Sequence, residues 1–167
     1  MHGLQDPVPQ EFMQKWLMPI LRQRCERYRK FQRILARPAE VGEVVVSVTS
    51  SGVETENRAC QGDFVVRNLT AAMEDYIVSS SKFFERYTFV AEEENGWRLY
   101  QPRGEVFALE IQMVVLVLLS RTSPFEIMAP WGEPQRAELG DFLVAPPDYS
   151  EIYRIARQEF FQTYKLV

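Results

Sequence analysis

The sequence predicts an α+β protein in which a basic amphipathic helix precedes two copies of a small β-rich module, each ending in a short helix. Three observations indicate this fold class: helical spacing of apolar residues near the N-terminus, an internal repeat in the rest of the chain, and short β-branched runs bounded by turns. The 167 residues are 46% hydrophobic and 13% aromatic, which excludes a fully disordered chain.

The N-terminal helix is predicted over residues 10–35, where apolar side chains recur three and four positions apart. Pro19 is expected to kink or restart this helix, and Pro38 to end the segment. Its opposite face is basic. The basic residues are Lys15, Arg22, Arg24, Arg27, Arg29, Lys30, Arg33 and Arg37.

The net charge of −4 is a balance between a basic helix and an acidic remainder. Residues 15–37 carry eight basic side chains and one acid, whereas residues 38–167 carry eleven basic and twenty acidic ones. One interpretation is that the basic face is solvated or paired with the acidic part of the chain. The other is that it binds a phosphate-rich or otherwise anionic partner, with Arg22, Arg29, Lys30 and Arg33 as contacts.

An internal repeat relates residues 61–90 to residues 139–167. Ten identities occur in the same order, with a single one-residue gap. They are Gly62/Gly140, Asp63/Asp141, Phe64/Phe142, Val66/Val144, Glu74/Glu151, Tyr76/Tyr153, Phe83/Phe160, Phe84/Phe161, Tyr87/Tyr164 and Val90/Val167.

In the first copy the pattern predicts strands at 44–48, 54–60, 64–67 and 76–78, a turn at 50–52, a tight turn at Gly62 and a helix at 82–87. In the second copy it predicts strands at 125–128, 142–144 and 153–155 and a helix near 159–164. Residues 106–112 alternate as a strand does, and residues 113–119 are apolar throughout, so they form either a strand or a helix.

These elements predict a basic helix at 1–40, a first module at 41–91, an acidic turn or linker at 92–101 and a second module at 102–167. Modules this small rarely bury enough core alone, so we expect the two to pack as one body.

The Gly-Asp-aromatic-x-Val turn, followed by Glu-x-Tyr and by Phe and Tyr on a terminal helix, resembles the small bacterial and phage proteins of the PGDYG type. The segment beginning at Pro102 is similar to the opening of that module. The resemblance covers residues 42–90 and 102–167 and implies a bacterial or phage protein with this fold unit, but no particular chemistry.

Few residues suited to catalysis are present. The one histidine, His2, is expected in a frayed terminus, and Cys25 and Cys60 are too few for a Cys/His zinc site, so no cofactor or metal is predicted. The two cysteines favour a reduced, cytoplasmic protein. The longest apolar stretch, 106–119, is too short for a transmembrane helix.

The candidate ligand-binding residues are the acids and tyrosines that the repeat shares. Asp63 and Asp141 either cap their own turns or act as an acid pair. Glu74 with Tyr76, and Glu151 with Tyr153, are either solvent-facing pairs or a surface that binds a polar ligand.

The leading hypothesis is a non-catalytic binding or adaptor protein, whose surface between the modules binds a protein or a small polar ligand. The alternative is a histidine-independent enzyme or nucleotide-binding protein that uses the paired acids, with a divalent metal in one version. A third hypothesis is self-association through the aromatic helices.

Overall fold

The computed structural model describes residues 5–48, 54–70 and 73–167. His2 and the turn predicted at residues 50–52 lie outside them. The first elements are α1 (Gln10–Phe12), a π-helical turn (Met13–Leu17), α2 (Met18–Arg24), β1 (Glu26–Lys30), β2 (Ile34–Pro38), β3 (Val44–Val48), β4 (Glu54–Arg58), β5 (Phe64–Asn68) and β6 (Asp75–Val78). Then follow α3 (Ser80–Arg86), β7 (Tyr87–Glu92), a 3-10 turn (Glu94–Gly96), β8 (Arg98–Pro102), β9 (Glu105–Glu110), α4 (Met113–Leu119), β10 (Phe125–Met128), β11 (Pro134–Ala137), β12 (Phe142–Ala145), β13 (Tyr153–Ile155), α5 (Arg157–Thr163) and β14 (Tyr164–Leu166).

The fold is α+β, and it begins with a helical segment, as predicted. The strands predicted at 44–48 and 125–128 have the predicted bounds, and residues 113–119 form a helix. None of the helices in the described part of the chain is long and apolar enough to cross a membrane.

The chain divides into two compact units. Unit 1 comprises Met1–Arg29 and Glu105–Val167, and unit 2 comprises Lys30–Gly104. This division differs from the predicted boundaries, because the N-terminal helix packs with the C-terminal part of the chain. Residues 92–101, predicted as a linker, are the end of β7, a turn and part of β8 within unit 2.

The predicted N-terminal helix ends at Arg24, so the prediction is wrong for residues 26–35. Cys25 is already extended, with φ −69° and ψ 155°. From Glu26 the backbone pairs with β9, where Glu26 lies opposite Ala108. Pairing with a strand some eighty positions away overrides the local helical spacing, because strand hydrogen bonds and side-chain burial together outweigh weak helix propensity.

Pro19 explains why the helical segment is interrupted by a π-helical turn. It is the second residue of α2, and it has no N–H to donate to a carbonyl in the preceding turn. The wider turn at Met13–Leu17 lets the helix continue past the proline while Met13 and Leu17 remain fully buried.

Unit 1 is built around a five-stranded sheet with strand order β13-β12-β9-β1-β14, in which β13, β12, β9 and β1 are antiparallel to their neighbours in that order. One face packs against the N-terminal helical segment, α4 and the β10–β11 hairpin, with Leu21, Leu116 and Leu143 in the shared core. The other face packs against α5 through Phe142, Val144 and Phe160. The sheet is therefore covered on both sides, and this arrangement positions the site described below.

Unit 2 is built around a second five-stranded sheet with strand order β6-β5-β2-β8-β7. The helix α3 packs on one face, where Phe83 is fully buried against Ala36 and Tyr100. The β3–β4 hairpin lies beside β6, and the Ser47 hydroxyl donates a hydrogen bond to the carbonyl of Asp75 at 2.6 Å.

Candidate functional site

A groove of about 450 Å³ opens on unit 1 at the end of the sheet where β1 begins and β9 ends. Residues from α2, β1, β9, α4, β12 and α5 line it, so it is assembled from distant parts of the chain. The lining residues are Ile20, Arg24, Glu26, Tyr28, Ala108, Leu109, Glu110, Gln112, Val114, Phe142 and Phe161.

The floor of the groove is one face of the sheet. Glu26 on β1 lies opposite Ala108 on β9, and Glu110 lies opposite Phe142 on β12. Alternate residues of a strand point to the same face, so Tyr28 is on this face as well. Its ring makes an edge-to-face contact with Phe142 at 6.2 Å, which holds the tyrosine in place.

Glu110 is bound from two sides within the groove. Gln112 Nε2 donates to Glu110 Oε2 at 3.0 Å, and Arg157 Nη1 donates to Glu110 Oε1. These hydrogen bonds lower the pKa of the Glu110 carboxyl below its usual value. The Arg157 guanidinium also lies over the ring of Phe161, 5.2 Å from its centroid. The Glu110 carboxylate is therefore ionised and held in place in the groove.

Tyr28 and Glu26 form the second polar pair. The Tyr28 hydroxyl lies 3.4 Å from Glu26 Oε2, a long hydrogen bond between a half-buried donor and an exposed acceptor. Burial, followed by the charge of Glu26, raises the pKa of the Tyr28 phenol, so the hydroxyl keeps its proton. Because this hydrogen bond is long, the carbonyl of a bound molecule can replace Glu26 as the acceptor of the Tyr28 proton, and the Glu26 carboxylate can then accept from a donor of that molecule.

The walls of the groove are apolar and exposed to solvent. Val114 on α4 is 39% exposed and Phe161 on α5 is 48% exposed. On the same side of α4, Met113 and Val117 are 61% and 73% exposed, so the apolar surface extends beyond the groove. Adjacent exposed apolar side chains on a folded protein mark interaction surfaces more often than scattered ones do.

Asp63 and Asp141, predicted as caps or as an acid pair, both bind backbone N–H groups in their own turns. Oδ2 of Asp63 accepts from the Cys60 N–H at 2.9 Å, and Oδ2 of Asp141 accepts from the Glu138 N–H at 3.1 Å. Asp141 is also buried and receives a hydrogen bond from Nε of Arg154 at 2.9 Å. Asp63 lies in unit 2 and Asp141 in unit 1.

The two predicted Glu–Tyr pairs lie just before or at the start of strands. Glu74 precedes β6 and Glu151 precedes β13, so neither glutamate lies within a strand. The hydroxyl of Tyr76 is 3.1 Å from that of Tyr87, and burial raises the pKa of Tyr76 well above its usual value. The ring of Tyr153 packs 6.5 Å from that of Trp131. The structure therefore places Tyr76 against the core of unit 2 and Tyr153 beside Trp131.

The four predicted contacts for an anionic partner do not share one helix face. Arg22 is on α2 with its guanidinium 4.5 Å from the Tyr149 ring centroid, whereas Arg29 and Lys30 are on β1. Arg29 is 3.6 Å from Glu105, and Nε of Arg33 donates to Gln101 at 3.0 Å. Burial lowers the pKa of Lys30. The prediction of a single basic face fails because residues after Cys25 are strands.

No three His, Cys, Asp or Glu side chains in the described residues are placed to share a metal ion. Comparison with models of protein families, with curated proteins and with solved structures gave no match. The resemblance to the PGDYG-type proteins therefore remains a prediction.

Sequence reasoning misses the groove residues because the helical spacing places residues 26–30 in a helix. A pattern that indicates strands at these residues lies upstream of each copy of the repeat. Tyr28 precedes Ile34 and Ala36 at the same spacing at which Tyr100 precedes Val106 and Ala108. Each segment thus contains a tyrosine, a β-branched residue and an alanine in the same order. Extending the repeat to these positions predicts two strands, which the structure pairs with Tyr28 opposite Val106.

Proposed function

We propose that this protein is a non-catalytic binding or adaptor protein, and that the unit 1 groove holds a short apolar segment of a protein partner. The observation that carries this proposal is the exposed apolar wall formed by Val114 and Phe161 beside a polar floor. Burying such side chains against a partner releases apolar surface from water, which is the main favourable contribution to protein association.

The polar groups of the floor suit the backbone of an extended segment. The Tyr28 hydroxyl can donate to a carbonyl, and the exposed carboxylate of Glu26 can accept from an N–H. The side-chain amide of Gln112 lies on the same groove next to Glu110. These groups fix the direction of a bound segment while the walls hold its side chains.

The charges of the groove nearly balance. Glu26 and Glu110 contribute two carboxylates, Arg24 contributes one guanidinium, and Arg157 neutralises Glu110 from the rim. A balanced groove does not attract a highly charged ligand over a long range, so apolar contact is the dominant contribution to binding. Affinity for the segment is accordingly only weakly dependent on salt.

We also propose that the two units are diverged copies of one module, as the sequence repeat suggests. Aromatic rings at corresponding positions of the two units pack in the same way, which supports this proposal. Phe64 stacks on Phe83 at 4.2 Å, and Phe142 stacks on Phe160 at 4.0 Å. Tyr100 meets Phe83 edge-on at 4.8 Å, and Tyr28 meets Phe160 edge-on at the same distance.

Strand register supports the same correspondence and indicates that the groove has diverged. In unit 1, Glu26 lies opposite Ala108 and Glu110 opposite Phe142. In unit 2, Arg98 lies opposite Ala36 and Pro38 opposite Phe64. An arginine and a proline therefore take the positions of the two glutamates. The binding function that we propose belongs to unit 1.

The experiment is a selection of peptides from a random library displayed on phage, with the full chain as the target. The selected peptide is then titrated against Phe161→Glu and against Phe84→Glu, its counterpart in unit 2. Phe161 is 48% exposed and Phe84 is 59% exposed, so the two variants place the same charge at similarly accessible aromatic positions.

We expect an apolar consensus peptide, a loss of affinity of about tenfold or more in Phe161→Glu, and less than about twofold in Phe84→Glu. Equal losses in both variants, or no enriched peptide, would contradict the proposal. A thermal-shift series with nucleotides and Mg²⁺ is run in parallel, because stabilisation by one of these ligands favours the enzyme hypothesis instead.

A further inference from the structure

Two charged side chains on the unit 1 groove form no ion pair with any residue in the described part of the chain. Arg24 ends α2 and Glu26 begins β1, and both are exposed and line the groove. Cys25 between them is extended, and side chains on either side of an extended residue point the same way, so the groove presents both charges together. The contact of Glu26 is the long hydrogen bond from Tyr28.

The other charges of β1, which do not line the groove, are paired. Arg27 and Arg29 lie on the opposite face of the sheet from Glu26, because alternate strand residues point to opposite faces. Their guanidinium groups are 3.3 Å and 3.6 Å from the carboxylate of Glu105 on β9. Glu26 lies opposite Ala108, so the neighbouring strand offers it no charge.

The corresponding position of unit 2 is paired within the chain. Arg98 takes the place of Glu26 there and lies opposite Ala36. Its Nε is 3.0 Å from the Glu92 carboxylate. The charges without an ion pair are therefore a feature of unit 1, as the groove is.

We propose that the segment held by the groove carries two charges of opposite sign beside its apolar residues, a lysine or arginine that pairs with Glu26 and an aspartate or glutamate that pairs with Arg24. This inference rests on the proposed function, because it names the kind of segment that the same groove selects. A carboxylate has two oxygens, so Glu26 can accept from a backbone N–H and from a basic side chain at once. A segment with a basic residue alone would meet the like charge of Arg24, so both charges are needed.

These ion pairs determine which apolar segment binds more than how tightly it binds. Exposed ion pairs contribute little to affinity, but a segment with its charges in the wrong order meets a like charge at both positions. The apolar walls around Val114 and Phe161 supply most of the affinity. Discrimination between charge orders therefore falls as salt concentration rises, while apolar contact persists.

The test uses two peptides, the one selected from the phage library and a synthetic version in which its basic and acidic residues are exchanged. Both are titrated at low salt into the full-length wild type and into the variant Arg24→Glu with Glu26→Arg, which keeps the net charge. A neutral variant, Arg24→Gln with Glu26→Gln, is measured as well. The control is Lys82→Glu with Glu85→Lys, the same kind of exchange between two exposed residues of α3 in unit 2.

We expect the wild type and the control to bind the selected peptide about tenfold more tightly than the exchanged peptide, and the charge-exchanged variant to have the reverse preference. The neutral variant should bind both peptides equally. Circular dichroism checks that each variant is folded, and the neutral variant decides alone if the exchanged one is not.

Two kinds of failure are distinguishable. Enriched peptides that lack one charge of each sign, or a charge-exchanged or neutral variant that keeps the wild-type preference, overturn this inference and leave the proposed function standing. A selection that enriches no peptide overturns both.

Discussion

The side-chain amide of Gln10 hydrogen bonds to both backbone groups of Ile152. The Ile152 N–H donates to Oε1 at 3.0 Å, and Nε2 donates to the Ile152 carbonyl and, at 2.8 Å, to that of Met128. Two residues further on, the amide of Gln135 binds the N–H and the carbonyl of Arg154 in the same way. Two glutamine side chains thus satisfy the outer edge of the segment that becomes β13, as a further strand would.

Replacing Gln10 by alanine should lower the free energy of unfolding by about 1–3 kcal/mol, because it leaves three part-buried backbone groups without these partners. Urea denaturation measures this loss. The control is Gln158→Ala, at an exposed position on α5, which should change stability by less than about 0.5 kcal/mol. Equal effects at both positions would contradict the role assigned to Gln10.

Asp141 and Asp63 occupy matching turns but should differ in their contribution to stability. Asp141 is 4% exposed and binds Arg154, whereas Asp63 is half-buried. We expect Asp141→Asn to cost about 3 kcal/mol, since it leaves the Arg154 guanidinium without its charged partner, and Asp63→Asn about 1 kcal/mol. Thermal and urea denaturation of the two variants test this order, and a larger loss for Asp63→Asn would reverse it.

The two buried phenylalanines of the repeat should behave alike. Phe83 and Phe160 are both fully buried, each between an aromatic neighbour from the sheet and one from its own chain segment. Alanine at either position should cost about 3–5 kcal/mol, and alanine at the adjacent Phe84 or Phe161 about 1 kcal/mol or less, as urea denaturation of the four variants would measure. A tolerated change at one buried position only would contradict the proposal that the units are diverged copies.

Because of Glu43, the free energy of unfolding of unit 2 should decrease at acidic pH. Hydrogen bonds from Arg37 and from the Glu40 N–H lower the pKa of Glu43 from 4.5 to about 2. A carboxyl with a lowered pKa stabilises the fold above its unfolded pKa, and this contribution is lost as the pH falls from 4.5 to about 2.

Glu43→Gln should therefore be less stable than the wild type at neutral pH by about 1 kcal/mol, since the pair is partly exposed to solvent. The difference should disappear at the acidic end of that range. Denaturation of both proteins across the range measures it, with Glu159→Gln as the control. A difference that persists in acid would show that charge is not its cause.

Local patterns predict several elements well. The β-branched run of β3 and the alternation of β9 are visible in a few consecutive residues, and the glycine before each aspartate indicates a turn. The strand structure of residues 26–30 and 34–38 could not be predicted from local spacing, because Cys25, Tyr28 and Phe31 are three positions apart, as on one face of a helix. Their strand conformation depends on pairing with β9 and β8, far along the chain.

The groove could not be predicted from local sequence patterns either, because its residues are far apart in the chain. Ile20, Glu26, Val114 and Phe161 come from four separate elements, and only the packing of three helices around the sheet brings them together. The shared acids of the repeat point instead to the turns. In the second turn, the Asp141 carboxylate already accepts hydrogen bonds from the Glu138 N–H and from Arg154. The residues that the two copies share therefore stabilise the fold more than they form a binding site.

The proposed binding function is tested most directly by titrating the selected peptide into the ¹⁵N-labelled full chain and recording amide chemical shifts. We predict that the largest changes fall on unit 1 residues of the groove, around Tyr28, Val114 and Phe161, and that Phe84 and its neighbours are unaffected. Changes centred on unit 2, or no change at peptide concentrations that saturate the wild type in the affinity assay, would contradict it.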